Sequence, residues 1–268
     1  MKTLGPVTNA RRISHPAVFP ALGRHLFQSL MELICPSHCL VCSRSISDNH
    51  AWLCPACWAE LQENLQAQPC PVCGHNVGSY ALLKGRCHRC QKRRPVVRRV
   101  VRVGDYQKIL RELILTLKFR RAGRLDLFLG DLLATAVAAA SDYRQIDFLV
   151  PVPLHWRRRW SRGYDQAELL ARAAATQLRP HGLSLPVRTD LVRIRHTPPQ
   201  TSLSPTERLI NLRGAFAVRP GHPFTGRHIC LIDDVTTTGT TLRVAAQTLR
   251  KAGAKSVRAA VLAVAANN

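Results

Sequence analysis

The sequence predicts an α/β protein, an open parallel sheet with flanking helices, preceded by a small segment held together by cysteines. Three observations predict it. Four Cys-x-x-Cys knuckles fall between Cys39 and Cys90. From about Val100 the pattern alternates between strand and helix, as βαβ units do. Near the C-terminus an apolar run, Ile229 to Ile232, meets Asp233-Asp234 and passes through Val-Thr-Thr-Thr-Gly-Thr-Thr into a helical pattern.

At 268 residues the chain can form one large domain or two small ones. Thirty-nine Lys and Arg against 16 Asp and Glu give a formal charge of +23, with an ordinary hydrophobic share of 46%. Such a surplus favours a polyanionic partner, nucleic acid or an anionic surface. A GC-rich genome would explain Arg in place of Lys, but not the shortage of acids. No apolar run is long enough for a membrane-crossing helix. Met1 to Arg24 reads as a flexible leader and not a signal peptide, because Arg24 and His25 break the patch at Ala17 to Leu22. Phe19 to Leu33 suits a short amphipathic helix.

The knuckles come next: Cys39/Cys42, Cys54/Cys57, Cys70/Cys73 and Cys87/Cys90, with eleven and thirteen residues inside the two pairs. A two-residue spacer lets both thiolates of one turn reach one ion, and the second knuckle closes a tetrahedron. Two such units in tandem predict a double zinc ribbon with two structural zinc ions and no open coordination position. A disulfide framework needs an export signal, and a redox dithiol needs one knuckle, not four. Cys35 is a spare thiol in this reading; His38, His75 and His88 are weaker alternative ligands, and Cys230 is core. Arg86, Arg89, Lys92, Arg93, Arg94, Arg98, Arg99 and Arg102 follow as a basic rim. Beside zinc ribbons they make a nucleic-acid platform, with Trp52, Trp58 and Tyr80 as stacking candidates.

In the second half, Val100 to Tyr106 reads as a strand, and Ile109, Leu110, Leu113, Ile114 and Leu117 mark one helix face. Leu125 to Ala140 is a helix, Asp147 to Pro153 a strand, and Asp165 to Leu178 a helix. Strands are expected near Val187 to Val192, at Phe216 to Val218, at Ile229 to Ile232 and at Val257 to Val264. The Ile229 strand does not alternate, so it should be buried, and it should stop at the acids. A helix should start near Thr240 and stop at Gly253.

Strand, acid pair, hydroxyl-rich turn and helix together make a site for a phosphorylated sugar. The amides of Thr237 to Thr241 can wrap a phosphate at the positive end of a helix, and Gly239 allows close approach. Asp233 and Asp234 can accept hydrogen bonds from two vicinal hydroxyls. Upstream, Pro151 to Gln166 places four arginines and a glycine before a helix, which suits pyrophosphate. The segment from Arg195 through Arg208 and Asn211 is long, polar and proline-bearing, as a mobile lid would be.

The stretch Ile229 to Thr241 resembles the phosphoribosyl-pyrophosphate (PRPP) motif of type I phosphoribosyltransferases. That resemblance implies that Asp233 and Asp234 hold the ribose hydroxyls, and that Thr237, Thr238, Gly239, Thr240 and Thr241 hold the 5-phosphate, with magnesium accompanying PRPP. Thr237 stands where purine-salvage members carry an acid, which disfavours a purine-base substrate. The whole pattern resembles the ComF/GntX family of competence protein F-like proteins. The matching features are the double ribbon, Leu-Lys-Phe-Arg at Leu117 to Arg120, Pro-Val-Pro-Leu at 151–154 and Arg-Gly-Tyr-Asp-Gln at 162–166. Thr197-Pro-Pro-Gln200, Arg208 and Asn211 complete it. Tyr164-Asp165 replaces a common Phe-Asn, and Cys35 a common proline. The resemblance implies a leader at 1–32, ribbons at 33–95 and a type I phosphoribosyltransferase-like domain at 96–268. It further implies a cytoplasmic protein of DNA uptake that binds PRPP with magnesium, contacts single-stranded DNA through its ribbons, and meets a competence helicase or channel proteins. The enzymatic alternative is an active phosphoribosyltransferase without a DNA role. In that case Arg162, Gln200 and Arg208 are the candidate catalytic residues, and closure of the 195–213 loop excludes water.

Overall fold

The computed structural model describes residues 38–46, 52–65, 68–77, 82–92, 95–119, 125–156, 160, 163–195 and 212–265. The chain divides into two compact units, Met1–Gln62 and Glu63–Asn268. In the first, Cys39 N–H donates to the Arg44 carbonyl at 2.8 Å and Ser43 N–H to the Cys39 carbonyl at 3.1 Å, closing a tight knuckle. Leu40 N–H bonds the Trp52 carbonyl at 3.1 Å and brings in the second knuckle. From there helix α1, Pro55–Leu65, starts with the proline at its first position, where no N–H is missed.

The second unit opens with an equivalent knuckle, in which Cys70 N–H meets the His75 carbonyl at 2.8 Å. A hairpin of β1 (Leu82–Leu83) and β2 (Arg86–Cys87) leads into the short helix α2, His88–Gln91. The main sheet has four strands in the order β3 (Val100–Asp105), β8 (Ser256–Val264), β7 (His228–Thr236), β4 (Phe148–Pro151), all parallel. Strand β8 is buried at every residue, which fits its mostly apolar sequence; the two polar members, Ser256 and Arg258, are buried as well, Arg258 in a pair with Asp142. Between the strands lie α3 (Lys108–Phe119), α4 (Leu125–Ala138), α5 (Gln166–Leu178) and α6 (Thr240–Lys251). On one face Leu242, Ala245, Ala246 and Leu249 of α6 join Ile229, Leu231, Val257 and Val261 in a continuous core. Helices α4 and α5 pack on the sheet and on each other. They touch at Gly130, where a Cβ would lie 2.4 Å from that of Ala173.

The second knuckle docks on the edge of this sheet. Val100 N–H donates to the Pro71 carbonyl at 3.2 Å, and Gly74 sits against Val264 and Val100. Asn76 bonds both Arg102 and Asp105, which themselves form an ion pair.

Several expectations are corrected. Strand β7 does not stop at the acids: it runs to Thr236, because β8 extends alongside it and pairs Asp233 with Val261 and Thr236 with Val264. The expected strands at 187–192 and 216–218 do not join the main sheet. Leu191–Arg193 (β5) and Phe216–Val218 (β6) pair antiparallel in a sheet of their own, and Val187 contributes one parallel bridge to Leu149. Asp165 lies outside α5 as its N-cap, and α4 ends at Ala138, two positions before Ala140. The expected helix at Phe19 to Leu33, and Cys35, lie outside the described residues. No helix among the described residues is long and apolar enough to cross a membrane.

Candidate functional site

Two four-cysteine clusters are formed. Cys39, Cys42, Cys54 and Cys57 in one, and Cys70, Cys73, Cys87 and Cys90 in the other, bring their sulfurs within 4.8 Å of one another. The Cys42–Cys54 and Cys73–Cys87 separations are 3.6 and 3.7 Å. A zinc–sulfur bond of about 2.3 Å requires tetrahedral edges of about 3.8 Å, so both cages fit zinc. Their protonation points the same way. Burial opposes ionisation of Cys39, but the backbone amides of Cys42, Cys54 and Val41 outweigh it and bring the thiol down to about 6. Burial likewise opposes Cys70, and the amides of Cys87, Cys73 and Val72 bring it to about 7. Burial and the neighbouring sulfurs push Cys57 and Cys90 up. Four adjacent thiols cannot all ionise unless a cation sits among them. His38 and His88 are exposed and neither cage needs them. Cys230 is buried in β7, as the sequence suggested.

The second site is the end of β7. Ile229 to Ile232 are fully buried and fix the strand; the backbone then carries the acid pair and three threonines out to Gly239. Gly239 has φ +73° and is the N-cap of α6, a conformation that disfavours any side chain. Among the described residues nothing lies within 4 Å of where its Cβ would be, so the turn faces space that they leave open. Thr238 and Thr240 hydroxyls bond each other at 2.7 Å, and Thr237 is exposed. Turn amides, hydroxyl donors and a helix N-terminus lie together there, an arrangement that can take a phosphate group.

Behind the cradle, Asp234 N–H donates to Asp233 Oδ1 at 2.9 Å. Desolvation first, then the charge of Asp234, push the Asp233 carboxyl well above the usual range; the Asp234 amide and Lys118 act against them. Lys118, in the last turn of α3, pairs with Asp234 at 3.1 Å. Residues at the two ends of the loop after β4 are fixed nearby. Buried Asp165 caps α5 through the amides of Ala167 and Glu168 and also accepts from Leu154 N–H at 2.9 Å. Beside it, Tyr164 donates its hydroxyl to the Leu117 carbonyl at 2.6 Å, fixing the helix end that carries Lys118.

Asp233, Asp234 and Thr237 to Thr241 lie along the end of β7 and the turn into α6. Arg162, Gln200 and Arg208 lie outside the described residues. Arg195 donates to the Arg213 carbonyl at 2.8 Å, tying the two ends of the expected lid. The basic rim needs revision. Arg86, Arg89, Lys92 and Arg98 are exposed, but Arg102 is buried in its pairing with Asp105, and Arg99 is engaged by Asp142 at 3.1 Å. Sequence reasoning also missed two aromatics. Trp156 and Trp160 in the loop after β4 are 61% and 87% exposed, whereas Trp52 and Trp58 are half-buried. The flanking arginines in that loop were the available signal. Lys118 was visible only as one letter of a helix end.

Comparison with known proteins agrees with the fold and with the double ribbon. Residues 30–93 match the double zinc ribbon domain family and residues 165–268 the phosphoribosyl transferase domain family. Competence protein F of Haemophilus influenzae is 32% identical over 225 residues, 82% of this chain and 93% of that protein. DNA utilization protein YhgH of Salmonella typhi is 34% identical over 229 residues, covering 84% and 96%. Competence protein ComFC of Bacillus subtilis is 29% identical over 233 residues, covering 80% and 89%. The main sheet, with helices packed on it, is the phosphoribosyltransferase-like domain that the sequence predicted, and a double zinc ribbon precedes it. On identity and coverage together, the chain belongs to the competence protein F family.

Proposed function

We propose that this protein binds PRPP with magnesium in its α/β domain and handles single-stranded DNA through basic zinc ribbons, in the cytoplasm, as part of DNA uptake or utilization. One observation carries the PRPP reading: an acid pair ends at a glycine-capped helix N-terminus that faces space the described residues leave open. In that reading Asp233 and Asp234 accept from the ribose hydroxyls, and the Thr237 to Thr241 amides and hydroxyls hold the 5-phosphate. Magnesium, bound with PRPP, supplies charge neutralisation for the pyrophosphate. The arginine loop before α5, Arg162 included, lies in sequence where it can add to that, and Gln200 and Arg208 belong to the lid. The ribbons at 33–95 and the α/β domain at 96–268 are the working division.

The DNA reading is supported by the charge of +23, by exposed Arg86, Arg89, Lys92 and Arg98, and by the names of the relatives. Exposed Trp160 extends it, since an indole with open faces stacks on any base. A two-ligand titration of the zinc-loaded chain tests both halves. Magnesium-PRPP should bind by calorimetry, and a labelled oligothymidylate should bind by anisotropy with an affinity that falls steeply with salt. Trp160→Ala should weaken the oligonucleotide by about tenfold, the lower part of the range of about 1–3 kcal/mol per stacked base. Oligonucleotide affinity that ignores both salt and Trp160→Ala would refute the DNA half.

A further inference from the structure

Lys118 stands at the sugar site although no reading of the motif assigns it a part. Its Nζ lies 3.1 Å from Asp234 Oδ2, and the two side chains are only 19% and 14% exposed. The ammonium also sits 6.0 Å from the centre of the Tyr106 ring, on the strand-to-helix turn before α3. Its position is held from a different loop: Tyr164 bonds the carbonyl of the preceding residue, Leu117, and Tyr164 adjoins Asp165, which closes the loop after β4. A half-buried lysine that merely balanced surface charge would need no such fixing. Here it meets two adjacent carboxyls, one of which already resists ionisation because of burial and its neighbour's charge.

We propose that Lys118 is a positioning residue of this ligand site: a resident cation that charge-balances the Asp233–Asp234 pair, so that the pair receives sugar hydroxyls without first collecting a metal ion. The inference rests on reading that pair as the sugar-binding acids. Two adjacent carboxylates repel a ligand that carries a phosphate and a diphosphate, and they attract divalent cations. An ammonium 3.1 Å from Asp234 reduces both effects. It also holds the Asp234 carboxyl aimed, leaving its remaining lone pairs for a hydroxyl donor. When magnesium saturates the ligand, the metal supplies part of the same neutralisation, so the need for Lys118 is greatest with metal-poor PRPP.

Two binding measurements on the full, zinc-loaded chain test this. The first uses manganese(II) alone, followed by electron paramagnetic resonance of the free ion. Lys118→Met should bind it at least about tenfold tighter than wild type, because a unit charge a few ångströms away is worth one to several kcal/mol. Lys118→Arg should match wild type, and adding Asp234→Asn to Lys118→Met should erase the gain. Equal manganese affinity in wild type and Lys118→Met overturns the proposal. The second titrates PRPP with and without saturating magnesium. Lys118→Met should lose at least about tenfold in affinity without magnesium and clearly less with it. An equal loss in both conditions means that Lys118 only supports the local structure, and the proposal fails. Should Lys118→Met lose its fold, Lys118→Gln carries the same comparisons, since it keeps a donor to Asp234 and removes the charge. If wild type binds no PRPP, the functional reading fails, and the manganese comparison still decides the role of Lys118.

Discussion

Asp233 and Asp234 are adjacent carboxyls at the end of a buried strand, and desolvation followed by the Asp234 charge raises the Asp233 pKa well above 3.8. An acid raised on folding weighs against the folded state wherever the unfolded chain is ionised, that is, above 3.8, and the penalty fades as pH falls toward that value. Asp233→Asn keeps an oxygen for the Asp234 amide and removes the charge. It should raise Tm at pH 7, by roughly 2–4 °C for each kcal/mol recovered, with a smaller rise at pH 4, and it should lose PRPP. Thermal unfolding at the two pH values together with calorimetry checks this; a lowered Tm at pH 7 would contradict it. A destabilising charge retained at this position supports the proposed ligand role of the pair. At this scale the acid pair and the eight cysteines were legible because their chemistry is contiguous or regularly spaced. Lys118 was not, because its partner Asp234 is distant in sequence and only the fold brings them together. Arg102 and Arg99 were misread for the converse reason: a basic string does not show which members find an acid.

Helices α3 to α6 and strands β3, β4, β7 and β8 were legible from period and burial pattern alone. The sequence misplaced the end of β7, since an acidic pair ordinarily ends a buried strand; here the length of β8 overrides it. Strands β5 and β6 were visible as strands, but a three-residue strand carries no signal of which sheet it joins. Also invisible was the α4–α5 contact at Gly130, where an added Cβ meets that of Ala173 at 2.4 Å and backbone at 3.0 Å. Gly130→Leu must part these helices and should cost about 1–3 kcal/mol or more by urea denaturation; a neutral change would mean that the helices slide freely. The ribbons give a second test. The chain should carry two zinc ions by atomic absorption, and Cys70→Ser should remove one. Because the Cys70 knuckle bonds Val100 through Pro71 and packs Gly74 on Val264, that variant should also speed amide exchange along β3. Unchanged exchange in Val100 to Asp105 would show that the edge stands without its knuckle.

Over the whole molecule the charge of +23 and the two four-cysteine clusters sit in one chain with the turn proposed above as a phosphate cradle. A strongly positive surface attracts polyanions indiscriminately, so DNA binding alone says little about what this family member recognises. The cradle is the specific element, and PRPP is the claim on which the rest depends. The deciding measurement is calorimetric titration of magnesium-PRPP into the zinc-loaded wild type and into an Asp233→Ala/Asp234→Ala variant, with pyrophosphate release followed in the same samples. Saturable one-to-one binding by wild type, lost in the variant, is the predicted result. Pyrophosphate release dependent on an added acceptor would extend it to a transferase. Folded, zinc-loaded wild type that takes up no PRPP, or a variant that binds it equally well, would contradict the account.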